Sequence, residues 1–272
     1  MILAERLTQV ADGTLSLRRR QQATKFFEIA DDFLEYSRGH KRSSAKDEVS
    51  VRRLKAFFKD VLCGSITKSQ IEKYILQRKK GGELGPKAKP STINRELACL
   101  RSIFRRALNN GKISVNPMSG FRLLEEDNVR NRVLTDEEFE RLLEKAPGHI
   151  IPVLITAWET GMRKGEILSL KWEQIDLNRN LIHLYGEQTK TGKSRDIPIS
   201  RRLKAMLSEL PRNSEYLFTY KKKPLRDIRT AFKKATIRAG LNGLWFHDLR
   251  HCFVTRMRRK GVPDRVIMAI TG

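Results

Sequence analysis

Phe246-His247-Asp248-Leu249-Arg250-His251 can be read in two chemical ways, and the choice decides what kind of fold surrounds it. On a helix, residues three apart share a face, so His247 and Arg250 can reach one phosphate. Imidazole and guanidinium together suit a group that gains negative charge in its transition state. The same letters spell H-D-x-x-H, one methylene from H-E-x-x-H, where two histidines bind zinc and the carboxylate is the base. Asp248 is shorter than that glutamate, and Arg250 would place a cation beside the metal. Both residues could also be ordinary helix surface. The rest of the chain has to decide.

Composition favours a polyanion. The chain has 272 residues, enough for one large or two small domains. Hydrophobic residues make up 39%, and 55 Lys and Arg face 31 Asp and Glu, a formal net charge of +24. Such a chain repels itself unless it meets opposite charge, and nucleic acid is the default partner. A membrane is the weaker partner, because no apolar stretch approaches ~20 residues. The charged start Met1-Ile2-Leu3-Ala4-Glu5-Arg6 is unlike a signal peptide. Cys63, Cys99 and Cys252 lack C-x-x-C spacing and read as reduced, buried thiols of a cytoplasmic protein.

Residues 1–21, ending near Arg18-Arg19-Arg20, read as an arm. Helical spacing begins with Phe26, Phe27, Ala30, Phe33 and Leu34. A second helix is expected over 45–58. A third opens at the capping-box spacing Thr67 to Gln70. Residues 81–87 read as a loop. A helix over 91–109 sets Ile93, Leu97, Leu100, Ile103 and Phe104 on one face and Arg95, Arg101, Arg105 and Arg106 on another, with Gly111 as its C-terminal cap. Residues 22–118 thus form one all-helical domain with basic outer faces, and 119–132, with little to bury, a linker. Thr135 and Glu138 make a second capping box, and an apolar helix covers 150–160. Residues 175–200 are the clear β region. Strands 181–185 and 196–199 flank the cationic tip Thr189-Lys190-Thr191-Gly192-Lys193-Ser194-Arg195, and Pro198 puts the second strand at an edge. Helices resume over 200–209 and 228–239. His40, His149 and His183 read as structural, and Trp158, Trp172 and Trp245 as core.

Four pieces stand in order: a helical domain, Thr160-Gly161-Met162-Arg163-x-x-Glu166, the Thr189-Lys190-Thr191-Gly192 tip, and His247-x-x-Arg250. The set resembles the tyrosine recombinase (phage integrase) family from about residue 22 onward. The resemblance implies a fold that is mainly α with a small antiparallel β-sheet. A helical core-binding (SAM-like) domain would precede an α/β catalytic domain over 133–272. It implies DNA cutting and rejoining through a 3′-phosphotyrosyl link, to integrate or excise a mobile element, with no metal or nucleotide cofactor. Arg163 and Arg250 match the family's catalytic arginines, able to grip phosphate oxygens with bidentate forks. His247 matches the histidine that donates to the phosphate or moves a proton. Lys190 matches the lysine that protonates the leaving 5′ oxygen, with Lys193 the close alternative. Glu166 matches an acidic position that orients cations, and His251 supports the site. Arg95, Arg101, Arg105 and Lys193 are the DNA-contact candidates. The implied partners are double-stranded DNA attachment sites, further copies on DNA, and accessory DNA-bending or excision factors.

The departure lies at residues 265–272, which look like the family stretch just before a further histidine or tryptophan and the nucleophilic tyrosine. Tyr36, Tyr74, Tyr185, Tyr216 and Tyr220 are the five tyrosines, and none stands at the nucleophile position. The expectation is a truncated integrase, incomplete at its C-terminus, that binds DNA without cutting it. The alternative is a non-catalytic DNA-binding protein or an inhibitor of a full-length recombinase. The zinc reading finds no third ligand after Gly261 and leaves the basic excess without a role.

Overall fold

The computed structural model describes residues 8, 10, 11, 24–41, 43–127, 132–189 and 192–272. It divides into two compact units, residues 1–128 and 129–272. Almost all of the expected arm over 1–21 lies outside the described residues. The fold is mainly α with small antiparallel sheets, as the sequence led us to expect.

The first unit is built on α1 (Phe26–His40), α2 (Ser44–Phe58), α3 (Lys68–Lys80) and α4 (Pro90–Asn109). Their apolar stripes meet in one core that buries Phe26, Phe33, Leu54, Ile71, Leu97 and Phe104. Thr67 and Gln70 form the expected capping box at α3. After α4, Gly111 takes the left-handed conformation (φ 66°), and the Lys112 N–H turns back to the Ala107 carbonyl at 2.9 Å.

A buried ion cluster crosses this core. Glu96 on α4 is 1% exposed. It accepts from Arg78 Nε (2.9 Å) and Nη2 (3.0 Å), Arg53 Nη1 (2.8 Å) and the Tyr74 hydroxyl (2.7 Å). Arg78 Nη1 continues to the Leu84 and Pro86 carbonyls, so the cluster also holds the 81–87 loop. Burial, then the charge of Glu96, pushes the Tyr74 phenol well above its usual pKa.

The expected linker over 119–132 is not free along its first part. Phe121 and Leu124 pack on the first core. Asn94 donates to the Leu124 carbonyl (2.8 Å) and Glu126 (2.6 Å), and Arg101 Nη2 donates to the Phe121 carbonyl (2.6 Å). Asn94 and Arg101 supply the polar partners that sequence patterning does not reveal.

The second unit runs α5 (Asp136–Lys145), α6 (Ile151–Thr160), α7 (Lys164–Leu168), β1 (Ile175–Asp176), β2 (Leu181–Leu184), β3 (Arg195–Pro198), α8 (Arg201–Glu209), β4 (Thr219–Tyr220), β5 (Lys223–Pro224), α9 (Arg229–Arg238), α10 (Asp248–Arg259) and α11 (Asp264–Thr271). Strands β1-β2-β3 form an antiparallel sheet in that order. Pro198 therefore lies on an edge strand, where its missing N–H breaks no ladder. The register sets Ile182 against Ile197 and Leu184 against Arg195. α6 is central: Trp158 is 1% exposed and stacks on Phe139 of α5 at 4.2 Å.

Candidate functional site

α6 ends at Thr160, and the chain turns at Gly161, left-handed at φ 64°. A Cβ at Gly161 would lie 2.5 Å from the Phe253 ring of α10, so glycine lets this turn press on that helix. Arg163 follows as the N-cap of α7. Glu166, one turn on, accepts from the Arg163 N–H and from Arg163 Nη1, both at 3.0 Å. Arg195, at the root of β3, donates Nη2 to Glu166 at 2.6 Å. Glu166 is 2% exposed. Burial alone would raise its pKa, but the bonds from Arg195 and Arg163 outweigh it and hold the carboxyl below its usual range.

Arg250 lies on the first turn of α10. Its Nη1 donates to the Gly161 (3.0 Å) and Thr271 (2.6 Å) carbonyls, and its Nη2 to the Gly272 oxygen (2.9 Å). Arg163 Nη2 donates to that same oxygen at 2.6 Å. Two guanidinium groups from separate helices therefore meet at one surface oxygen, the main-chain oxygen of Gly272, the last residue of the sequence, and a pair of forks so placed also suits a phosphate oxygen. Burial, then the neighbouring Arg163, pushes Arg250 down to about 10. It remains charged at neutral pH.

His247 precedes α10, and the Arg250 N–H returns to its carbonyl at 3.1 Å, so the two share a turn as expected. Its ring meets that of His251 edge-on at 5.2 Å. Partial burial, then the His251 and Arg250 charges, lowers its pKa, so the imidazole is neutral at neutral pH. Asp248 is buried, and its carboxylate accepts from the Trp245 N–H at 2.7 Å. That bond gives Asp248 a local capping role in place of the base that the H-D-x-x-H reading needs. Among the described residues no group of three or more His, Cys, Asp or Glu could hold a metal ion.

Lys190 lies outside the described residues. Its neighbour Thr189 is buried, with its hydroxyl within hydrogen-bond reach of the Gly186 (3.0 Å) and Lys193 (3.1 Å) carbonyls, which closes the loop around it. Lys193 is exposed. In the first unit Arg95 and Arg105 are exposed, while Arg101 is half-buried and tied to Phe121.

Four of the five tyrosines have side-chain partners of their own. Tyr74 binds Glu96, Tyr36 lies under Arg106, Tyr220 stacks on His149, and Tyr216 faces Lys171. Tyr185 is exposed just after β2. The three histidines read as structural do have partners, Tyr36 for His40, Tyr220 for His149 and Asp196 for His183. Trp245 is not core: it is 60% exposed and lines a cavity of about 670 Å³ with Lys164, Arg229, Phe232, Lys233 and His247. Leu244 and Phe246 turn inward on either side of it and made the stretch look uniformly apolar.

The contact of Arg195 with Glu166 is what the sequence reading missed, having taken Arg195 for part of a cationic tip. A signal was present. Strand alternation puts 195, 197 and 199 on one face, and Ile197 and Ile199 are buried.

Residues 132–272 match the Phage integrase family and residues 25–123 the Phage integrase SAM-like domain. The chain belongs to the phage integrase family. It is 36% identical over 188 residues to the shufflon-specific DNA recombinase of Escherichia coli, covering 67% of this chain and 48% of that protein. It is 34% identical over 210 residues to the integrase of Escherichia phage P2, covering 76% and 58%. A crystal structure of a lambda integrase(75-356) dimer bound to a COC′ core site shares the fold, with a TM-score of 0.77 at 21% identity over 91% of this chain and 94% of that one. The chain spans about half the length of the curated relatives it matches. Among the described residues no helix is long and apolar enough to cross a membrane.

Proposed function

We propose that this protein is a site-specific DNA recombinase of the cytoplasm. It cuts and rejoins duplex DNA at attachment sites through a 3′-phosphotyrosyl link, as several copies on the DNA, to integrate or excise a mobile element. The observation that carries this is the convergence of Arg163 and Arg250 on one oxygen. A phosphodiester under attack gains negative charge on its non-bridging oxygens, and fixed guanidinium forks stabilise that charge without reorganising. Glu166 holds the Arg163 fork in place. His247, neutral and beside Arg250, donates to the phosphate or moves a proton, and Lys190 protonates the leaving 5′ oxygen. The test is a nicked suicide duplex incubated with the full-length protein and run on a denaturing gel. A covalent protein–DNA band supports the reading, and none from any attachment-site library overturns it. The partners that Tyr36, Tyr74, Tyr216 and Tyr220 already have favour a second reading, a non-cutting DNA-binding protein or an inhibitor of a full-length recombinase, and the same gel separates the two.

DNA affinity should fall steeply with salt. Each phosphate neutralised on duplex DNA contributes about −0.9 to the slope of log K against log salt, and basic faces on both units predict at least about −5. Filter binding across a salt series measures it, and a flat dependence would remove DNA as the partner.

His247 gives a pH signature. Its folded pKa is depressed, so between that value and the ordinary imidazole value the unfolded chain binds more protons. Its contribution to stability is therefore lost as pH falls through that window. A phosphate beside it favours the charged ring and raises the pKa. The His247 Hε1 resonance should then titrate at higher pH with DNA bound than without, and an unchanged midpoint would take His247 off the phosphate.

A further inference from the structure

We propose that Arg195 is a positioning residue of the phosphate site, acting on Arg163 through Glu166 and on α11 through the Ile270 carbonyl. The inference rests on the reading of Arg163 and Arg250 as phosphate ligands. Arg195 Nη2 shares the Glu166 oxygen that also takes the Arg163 N–H. Its Nε donates to Ile270 at 2.9 Å, one residue before the Thr271 carbonyl that holds Arg250. One guanidinium thus bonds to the carboxylate that holds Arg163 and to the residue beside the carbonyl that holds Arg250.

Its side chain is 9% exposed, and its Nη1 is buried with no hydrogen-bond partner among the described residues. Leaving a buried N–H unpaired costs free energy, so this guanidinium has hydrogen-bonding capacity that its protein contacts do not use. The unpaired atom is packed against Gly272, where a Cβ would lie 2.7 Å from it. The Gly272 oxygen is the one on which Arg163 and Arg250 converge. Three guanidinium groups and one carboxylate leave local positive charge, and the Arg195 charge adds to what lowers Arg250. An incoming anion relieves that repulsion. Arg195 is also the first residue of β3, so it anchors that strand to Glu166.

The experiment is a titration of the full chain with inorganic phosphate, read at the Nε–Hε NMR signals of Arg163 and Arg250. In the unchanged protein both should shift with one common Kd. Arg195→Gln should weaken that Kd by about tenfold or more, as expected for losing a two-point arginine bridge. In a Glu166→Gln background the same substitution should cost clearly less than in the unchanged protein, because only the Ile270 contact is then left to lose and residues acting through one another are not additive. Arg195→Lys keeps the charge but not the bridge and should fall between. A Kd within twofold of the unchanged protein for Arg195→Gln overturns the proposal, and so does an equal loss in the Glu166→Gln background. If the amide spectrum shows that Arg195→Gln does not fold, Arg195→Lys decides, and an unchanged Kd there overturns it. If Arg163 and Arg250 in the unchanged protein show no common saturation, the phosphate-site reading itself fails and this inference with it.

Discussion

Arg250→Ala in the full-length protein should slow covalent adduct formation on a nicked duplex by about 10²–10³-fold, the usual loss for one preorganised transition-state donor. Duplex affinity should change far less, because phosphates along the whole footprint supply most of it. The separation follows from geometry. Arg250 directs one nitrogen at the oxygen shared with Arg163, while its other is held by the Gly161 and Thr271 carbonyls. Arg250→Lys should recover little, since an ammonium is a point charge and cannot hold backbone and phosphate as a planar fork does. Adduct rates from single-turnover gels, set beside binding isotherms, check both halves. A parallel loss of affinity and rate would place Arg250 in general DNA binding.

Glu96→Ala should destabilise the first unit by about 3–5 kcal/mol, the cost of leaving a buried charge without its partner. Arg78 is 2% exposed and has nowhere else to take its charge, and Arg53 and Tyr74 lose their acceptor as well. The 81–87 loop should loosen too, since Arg78 also holds the Leu84 and Pro86 carbonyls. Urea melts of the variant measure the loss. A change under about 1 kcal/mol would show that water enters the cluster and solvates it, as it does at exposed ion pairs.

This cluster also shows where sequence reading stops. Arg78 stands in the run Arg78-Lys79-Lys80 and looks like one more outer cation. Its burial depends on Glu96, which is on another helix, and no local pattern links the two. Local signals did carry far. The stripes of α1 to α4, both threonine capping boxes, Gly111 and edge Pro198 rest on neighbours within one or two turns, and the structure has each of them. That Arg163 meets Glu166, and that His247 and Arg250 share a turn, was legible because the members of each pair are three residues apart. Arg195 was not read because its partners, Glu166 and Ile270, are set by sheet register and the return of α11. Trp245 was misread because apolar neighbours do not reveal which way one ring in a loop points.

Among the described residues, the bonds that hold Arg163, Glu166, Arg195 and Arg250 are made within residues 129–272. The arginine scaffold thus depends on the second unit's own turns, strand register and C-terminal helix, so substitutions confined to the first unit's helices should leave the Arg163 and Arg250 geometry unchanged.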